Sequence, residues 1–132
     1  MKSCNISANL ERWKKEMPDK PAIIEMQSGT QITFKKLEEE SNLIASGLLQ
    51  HGMKKGDRVL VMVPYGIDFV TLTFALFKAG VVPVLIDPGL GKKNVLHCIK
   101  QSEPQGIIAI PLVHAIKTLF PSPFKSIQLS VT

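Results

Sequence analysis

The spacing of apolar positions changes along the chain, and each spacing predicts one kind of element. In the first segment, apolar residues recur every three or four positions, which predicts an amphipathic helix capped by Asn5 or Ser7 and ended by Pro18. Two short apolar runs follow, at 22–26 and 31–34, on either side of a turn that contains glycine. This arrangement is typical of a β-hairpin.

A long helix is predicted to follow the hairpin. Thr33 is a suitable N-cap, and Gly52 ends the helical pattern after His51. The stripe of apolar residues that would face a core comprises Leu37, Ile44 and Leu48.

Three runs that are apolar at nearly every position come next, separated by two segments with helical periodicity. Strands that are apolar on both faces belong inside a parallel sheet covered by helices, so this order predicts consecutive β–α–β units. Pro83 lies inside the second run and predicts incomplete strand pairing there. The predicted strands are 59–63, 82–86 and 107–110, and the predicted helices are 67–79 and 92–102.

The buried stripe of the first crossover helix is predicted from its spacing to be Ile67, Val70, Phe74 and Phe77. A short helix at 113–119 and an alternating strand at 127–131 complete the pattern. The predicted class is α/β: a partial Rossmann-like parallel (mixed) sheet with helices on both faces, preceded by a helix and a hairpin. We expect one domain, with the helix, hairpin and long helix in 1–57 and the parallel portion in 58–132.

Composition excludes several classes of protein. The 132 residues are 45% hydrophobic and 20% charged, which is ordinary for a globular domain. No stretch reaches the roughly 18 uninterrupted apolar residues of a membrane helix, and the first residues lack the apolar core of a signal peptide. Cys4 and Cys98 lie outside any metal-ligand spacing, so no metal site is predicted. We expect free thiols and a cytoplasmic protein.

The net charge of +5 is concentrated in four Lys-Lys pairs that are interspersed with acidic residues. No aromatic residues interleave with these pairs, so solvated helix ends are a better interpretation than a nucleic-acid surface. The pairs begin at Lys14, Lys35, Lys54 and Lys92.

Ligands of open parallel sheets bind where the strands end, so the loops 64–66, 87–91 and 111–114 are the candidate sites. The second of these has two glycines and precedes Lys92 and Lys93. Its backbone amides would suit an anion, although Asp-Pro-Gly is also ordinary turn chemistry, and the turn is the preferred interpretation.

Three other candidate groups stay open at this point. Asp87 could position a ligand, although capping of the next turn or helix is favoured. Tyr65 could line a pocket or be a partly buried structural residue. The histidines at 51, 97 and 114 lack partners at any spacing that suggests catalysis.

Four motifs in order resemble the AMP-forming superfamily of acyl-CoA synthetases, luciferases and adenylation domains. They are Pro-Asp-Lys-Pro-Ala at 18–22, Ile-Thr-Phe-Lys-Lys-Leu at 32–37, Gly-Met-Lys-Lys-Gly-Asp-Arg-Val at 52–59 and the Lys-Ala-Gly helix end that leads to Asp-Pro at 76–88. Within this superfamily, the stretch 85–94 and Ile110-Pro111 with His114 are most similar to olefin β-lactone synthetases and long-chain fatty-acid ligases.

The resemblance implies the N-terminal subdomain of a ligase that uses ATP and Mg²⁺ to activate a carboxylic acid as an acyl-adenylate. A thiol or an internal hydroxyl would then accept the acyl group. In that superfamily the phosphate loop, the ribose-binding aspartate and the C-terminal lysine lie downstream of this stretch. No catalytic residue is therefore assigned, and the isolated chain is expected to be inactive, to bind no cofactor tightly and to self-associate. By position, Gly89, Leu90 and Gly91 would line the acceptor-thiol tunnel.

Two other functions remain as alternatives. One is a self-contained Rossmann- or flavodoxin-like module that binds a nucleotide or anion at the 87–93 loop. The other is a basic scaffold for nucleic acid. Fold alone does not choose among the three, and the resemblance favours the ligase.

Overall fold

A computed structural model describes residues 5–132, which form two compact units. The first unit contains the described residues up to Gln50 together with Pro64–Ala79. The second contains His51–Val63 and Gly80–Thr132.

The first unit consists of three helices and an antiparallel hairpin. Asn5 Oδ1 accepts the Ser7 N–H at 3.0 Å, but the N-cap of α1 is Ile6 and no side chain caps it, so the predicted cap at Asn5 or Ser7 is wrong. The hairpin is confirmed, with slightly shorter strands. The elements are α1 Ser7–Glu16, β1 Pro21–Ile24, β2 Gln31–Thr33, α2 Phe34–Gln50 and α3 Ile67–Ala79.

The long helix α2 begins directly after Thr33, its predicted N-cap. The Thr33 hydroxyl accepts the Lys36 N–H at 3.2 Å, which satisfies one of the amides that a helix start leaves unpaired. Leu37 and Leu48 are buried as expected, whereas Ile44 is only half-buried and Ala45 takes its place in the stripe.

The predicted buried stripe of α3 is wrong in part. Its four large apolar residues are only half-buried, although two of them, Ile67 and Phe74, pack against the core of Leu10, Ile32 and Leu37. Three of the four buried residues of α3 have small side chains instead, because α2 and α3 pack against each other and small residues permit close approach of two helices. The buried residues of α3 are Thr71, Ala75, Leu76 and Ala79.

A buried ion pair joins α2 to α3. The side chains of Lys78 and Glu38 are only 11% and 8% exposed. The Lys78 ammonium donates to the Glu38 carboxylate and, at 2.7 Å, to the Asn42 amide oxygen. The Asn42 amide nitrogen in turn donates to Glu38 Oε1 at 3.1 Å. The polar groups therefore satisfy one another, as buried charges require.

The start of α3 is held by a residue from the hairpin. Glu25 Oε1 accepts the N–H of Ile67 at 3.0 Å, and the Ser28 hydroxyl donates to the other carboxylate oxygen at 2.9 Å. A Cβ at Gly66 would lie 2.8 Å from Glu25 Oε1, so glycine leaves room for the carboxylate. Both hydrogen bonds, chiefly that from Ile67, lower the pKa of Glu25.

The second unit is built on a four-stranded sheet in the order β4–β3–β5–β6, and every pair is parallel. The predicted α/β class with a parallel sheet is therefore confirmed. The elements are β3 Arg58–Met62, β4 Val82–Val84, α4 Lys92–Ser102, β5 Gly106–Ala109, α5 Pro111–Leu119 and β6 Leu129–Val131, with short 3₁₀ turns at Pro88–Leu90 and Ser122–Phe124.

Burial along the strands follows their place in the sheet. All four residues of β5 are buried, as are the three central residues of β3. β4 is shorter than predicted and lies at the sheet edge, where Pro83 pairs with Val59 and its missing N–H is tolerated. The centre of the core consists of Leu60, Ile99 and Ile107, each of which is at most 1% exposed to solvent.

We predict that Lys78→Met destabilises the chain by about 3–5 kcal/mol, because it leaves the Glu38 carboxylate buried without a cation. The free energy of unfolding is measured by urea titration, with the fluorescence of Trp13 in the first unit as the probe. Lys36→Met is the matched control, since it removes an ion pair with Glu40 whose side chains are 69% and 44% exposed. That control should cost under about 1 kcal/mol, and an equal loss in both variants would contradict a special role for the buried pair.

We predict that the stability supplied by Glu25 depends on pH. Because the pKa of Glu25 is lowered in the folded chain, its contribution is complete above the ordinary value of 4.5 and is lost as pH falls through the lowered folded value. Glu25→Gln should therefore flatten the decline in stability below about pH 4.5, measured as urea midpoints at several pH values.

Gly66→Ala provides the matched test of the same interaction, because the new methyl group displaces the Glu25 carboxylate. It should flatten the pH dependence as Glu25→Gln does. An unchanged acid-induced decline in both variants would show that the Ile67 hydrogen bond does not contribute.

Candidate functional site

The carboxyl ends of the strands in the second unit lie at one edge of the sheet. Leu60 pairs with Val84, and Met62 pairs with Ala109, so β3, β4 and β5 end close together. The segments 85–91 and 110–113 leave from this edge, where ligands of open parallel sheets bind. The third predicted loop, 64–66, belongs to the first unit.

Hydrogen bonds in the 87–91 loop favour its interpretation as a turn. Asp87 Oδ1 accepts the Gly89 N–H at 2.8 Å, and its carbonyl accepts the Leu90 N–H at 3.2 Å. The Gly91 N–H donates to Pro88 O at 3.4 Å. These three amides are already bonded inside the loop and do not form an anion cradle. The capping role of Asp87 is confirmed, for the 3₁₀ turn Pro88–Leu90 rather than for α4 itself.

Gly91 connects this turn to α4. Its φ of +82° and ψ of 150° form a conformation that only glycine adopts without strain, and its carbonyl accepts the Val95 N–H at 3.0 Å as the helix begins. The loop therefore fixes the position of Lys92, the first residue of α4, at the edge of the sheet.

A cavity of about 320 Å³ opens at this edge. Its floor is the end of β3, and α4, α5 and the second 3₁₀ turn form its walls. Eight of its nine lining residues are apolar, and the ninth is Lys92. They are Met62, Pro88, Lys92, Val95, Leu96, Ile99, Val113, Ile116 and Phe124.

The ammonium of Lys92 lies 4.4 Å from the centre of the Phe120 ring. A cation over an aromatic face is attracted by the electron-rich ring, which restricts where the lysine places its charge. The geometry thus combines an apolar cavity with one positioned cation at its border.

The remaining predicted candidates do not join this cavity. Tyr65 is 84% exposed and packs edge-on against Phe69, with ring centres 5.0 Å apart, so neither a pocket-lining nor a partly buried role is correct. His114 Nε2 lies 3.1 Å from Val131 O and links α5 to β6. His97 is exposed, and Cys98 is a free thiol. Cys4 lies outside the described residues.

The Lys-Lys pairs of the first unit face carboxylates. Lys14 lies 3.6 Å from Glu39, and Lys15 lies 2.8 Å from Glu11. The Lys15 hydrogen bond lowers the pKa of Glu11. This agrees with solvated helix faces better than with a nucleic-acid surface.

The residues described here include no group of three or more His, Cys, Asp or Glu side chains that could hold a metal ion. In the same part of the chain, no helix is both long enough and apolar enough to cross a membrane.

Two of the turns that belong to the family-like motifs contact each other. The Gly56 N–H donates to Gly80 O at 2.9 Å, and Asp57 Oδ2 accepts the Lys54 N–H at 2.8 Å. Asp57 O then accepts the Val82 N–H at 2.8 Å, which sets the pairing of β3 with β4. These turns therefore determine strand register and do not form a reactive site.

The sequence indicates one wall of the cavity in part, since Val95, Leu96 and Ile99 are apolar positions in the predicted helix 92–102. Val113 and Phe124 were not recognised as site residues, because they come from separate segments whose positions depend on tertiary packing. Pro121 and Pro123 predict a break in the chain, but they give no indication that the side chain of Phe124 is buried.

The fold and its motifs correspond to one family of proteins. The AMP-binding enzyme family matches residues 10–129, so this chain belongs to the AMP-binding enzyme family. The predicted superfamily resemblance is confirmed.

Among its relatives is an olefin beta-lactone synthetase of Xanthomonas campestris, which is 40% identical over 126 residues. Another is the enzyme of the same name from Stenotrophomonas maltophilia, which is 36% identical over 124 residues. The alignments cover 88% and 86% of this chain, but only 22% of each relative. A long-chain-fatty-acid–CoA ligase of Salmonella typhimurium is 36% identical over 70% of this chain and 16% of the ligase. The chain thus spans about a fifth of the length of the first two relatives.

Solved structures show the same fold. A fatty acyl CoA synthetase of Mycobacterium tuberculosis superposes with a TM-score of 0.83 at 24% identity, covering 96% of this chain and 26% of that one. A long-chain-fatty-acid–CoA ligase of Archaeoglobus fulgidus superposes with a TM-score of 0.82 at 22% identity. The superposition covers 96% of this chain and 26% of the ligase. The predicted adenylate-forming subdomain fold is therefore confirmed.

Proposed function

We propose that this chain is the N-terminal portion of an ATP-dependent ligase that activates a fatty-acid-like carboxylic acid as an acyl-adenylate. The observation that carries the proposal is the family match over residues 10–129, together with 40% identity to an olefin beta-lactone synthetase. The carboxylate of the acid attacks the α-phosphate of ATP, and pyrophosphate leaves.

Enzymes of this family use ATP and Mg²⁺. The described residues do not fit a Mg-ATP site, since they offer no grouped metal ligands and the amides of the 89–91 loop are bonded internally. Phosphate chemistry of this kind depends on positioned cations and donors, which we assign to other segments of the enzyme. The role proposed for this chain is structural support of the acid-activating domain.

The 132-residue chain alone is therefore expected to catalyse no ATP–pyrophosphate exchange. A chimera tests its role directly: the matched N-terminal segment of the Xanthomonas campestris enzyme is replaced by this chain. We predict that the chimera exchanges labelled pyrophosphate into ATP, in an acid-dependent manner, at a rate within about tenfold of the parent, since a residual mismatch of about 1.4 kcal/mol corresponds to that factor.

Two controls make the result decisive. The parent enzyme without its N-terminal segment should be inactive, and circular dichroism reports whether the chimera is folded. A folded chimera without exchange activity would contradict the proposal, as would robust exchange by the 132 residues alone.

We further propose that Gly89, Leu90 and Gly91 lie beside the path of a thiol acceptor. Their exposure supports this placement, since all three are accessible and Leu90 is 48% exposed. In the chimera, pantetheine should slow hydrogen exchange of the peptide 88–92, while a peptide from α5 should not change. Equal exchange with and without pantetheine would place the acceptor elsewhere.

A further inference from the structure

Helix α5, which forms one wall of the cavity, is only lightly packed against the rest of the second unit. Of its nine residues, all of which the structure describes, only Val113 is buried, and it lies in the first turn. The next buried side chain along the chain is Phe124, in the second 3₁₀ turn. Val113 and Phe124 both line the cavity. The helix therefore spans two buried anchors, and none of the residues 114–120 between them is buried.

Polar contacts restrain α5 on the side of β6. His114 Nε2 lies 3.1 Å from Val131 O, and the Lys117 ammonium donates to the Ser130 hydroxyl at 2.6 Å. His114 and Lys117 are three positions apart, so they share one face of the helix. Because β6 is an edge strand of the sheet, these contacts hold α5 on one side without burying it.

A single cation–π contact joins α5 to α4 across the cavity. Lys92 is the first residue of α4 and lines the cavity, and its ammonium lies 4.4 Å from the centre of the Phe120 ring. Phe120 directly follows α5 and lies outside the cavity lining. Its N–H donates to the carbonyl of Ile116, a lining residue, at 2.9 Å. The contact between Lys92 and Phe120, here called the latch, therefore connects the two helical walls.

The latch is weaker than the packing of α4. Lys92 is exposed and the Phe120 side chain is 40% exposed, and a cation–π contact in such a position contributes little stability. In contrast, α4 is anchored by Ile99, which is 1% exposed and lies in the centre of the core. Elements with few buried apolar side chains and solvent-exposed contacts are those that open locally. The packing therefore favours movement of α5 relative to a fixed α4.

We propose that α5 is a lid over the cavity, held on one side by its hydrogen bonds with β6 and closed on the other side by the latch. When the latch breaks, the middle of α5 moves away from α4 and the cavity opens between the two helices. The buried anchors Val113 and Phe124 limit this movement. The inference goes beyond the proposed ligase function, since it concerns a motion of the second unit and involves no turnover.

Hydrogen exchange of the 132-residue chain, followed by mass spectrometry, measures the opening of the lid. In the unaltered chain, the amides of 116–120 should exchange faster than those of α4. Phe120→Leu removes the ring but keeps an apolar side chain, and it should accelerate exchange at 116–120 by about two- to fivefold, as expected for an exposed cation–π contact. Lys92→Gln should have the same effect. Lys93→Gln is the matched control, because this neighbouring lysine does not line the cavity, and it should leave the exchange rates unchanged.

A double variant tests whether the lysine and the ring act through each other. Lys92→Gln combined with Phe120→Leu should accelerate exchange no more than either substitution alone, because both remove the same contact. Circular dichroism establishes that each variant is folded. Effects that multiply in the double variant, or equal effects of the substitutions at 92 and 93, would overturn the latch.

The binding kinetics of a neutral fluorescent probe, N-phenyl-1-naphthylamine, test whether this motion opens the cavity. Because Phe120 does not line the cavity, Phe120→Leu should raise the association and dissociation rate constants by the same factor, about two- to fivefold, and leave the Kd unchanged. Stopped-flow fluorescence measures both rate constants. Unchanged rate constants in a folded variant, a change in Kd alone, or no binding of the probe to the unaltered chain would overturn the lid.

Discussion

The parallel pairing of β3 with both β4 and β5 is the constraint on which the second unit depends. Parallel neighbours cannot be joined by tight turns, so the chain must cross over between them, and their carboxyl ends then meet at one edge. The segments that leave this edge carry Lys92 and the walls of the cavity. Because β3 and β5 are buried through their centres, their apolar sequences stabilise the arrangement that also creates the cavity.

The motifs by which the family is recognised stabilise the fold. Gly56 and Gly80 bring two turns together beside the paired starts of β3 and β4, and both have positive φ. Lys78 of the Lys-Ala-Gly segment is buried in an ion pair with Glu38. A superfamily with diverse substrates can share such residues, since they determine strand register and helix packing rather than ligand recognition. This explains why the chain is recognisable while no catalytic residue is assigned within it.

Prediction from sequence succeeded for features that depend on residues close together in the chain. It failed for features that depend on packing between helices and strands. Both crossover helices, 67–79 and 92–102, have the predicted bounds, because Gly80 ends the first and Gly91 precedes the second, both with positive φ. The predicted buried face of α3 was wrong. The large apolar residues Phe74 and Phe77 dominate the sequence pattern, but the residues that are buried include Ala75 and Ala79, because α3 packs against α2. Self-association and the acceptor role of the 89–91 loop stay predictions.

By itself, the sequence determined the class of fold, the order of its elements, the turn at Asp87 and the family, because each depends on residues close together in the chain. Only the tertiary structure decided that Lys78 and Glu38, forty residues apart, form a buried pair. It also decided that Met62, Val113 and Phe124 line one cavity with Lys92. Such contacts depend on how separate segments pack in three dimensions. Apolar and polar patterns over a short stretch of sequence do not predict that packing.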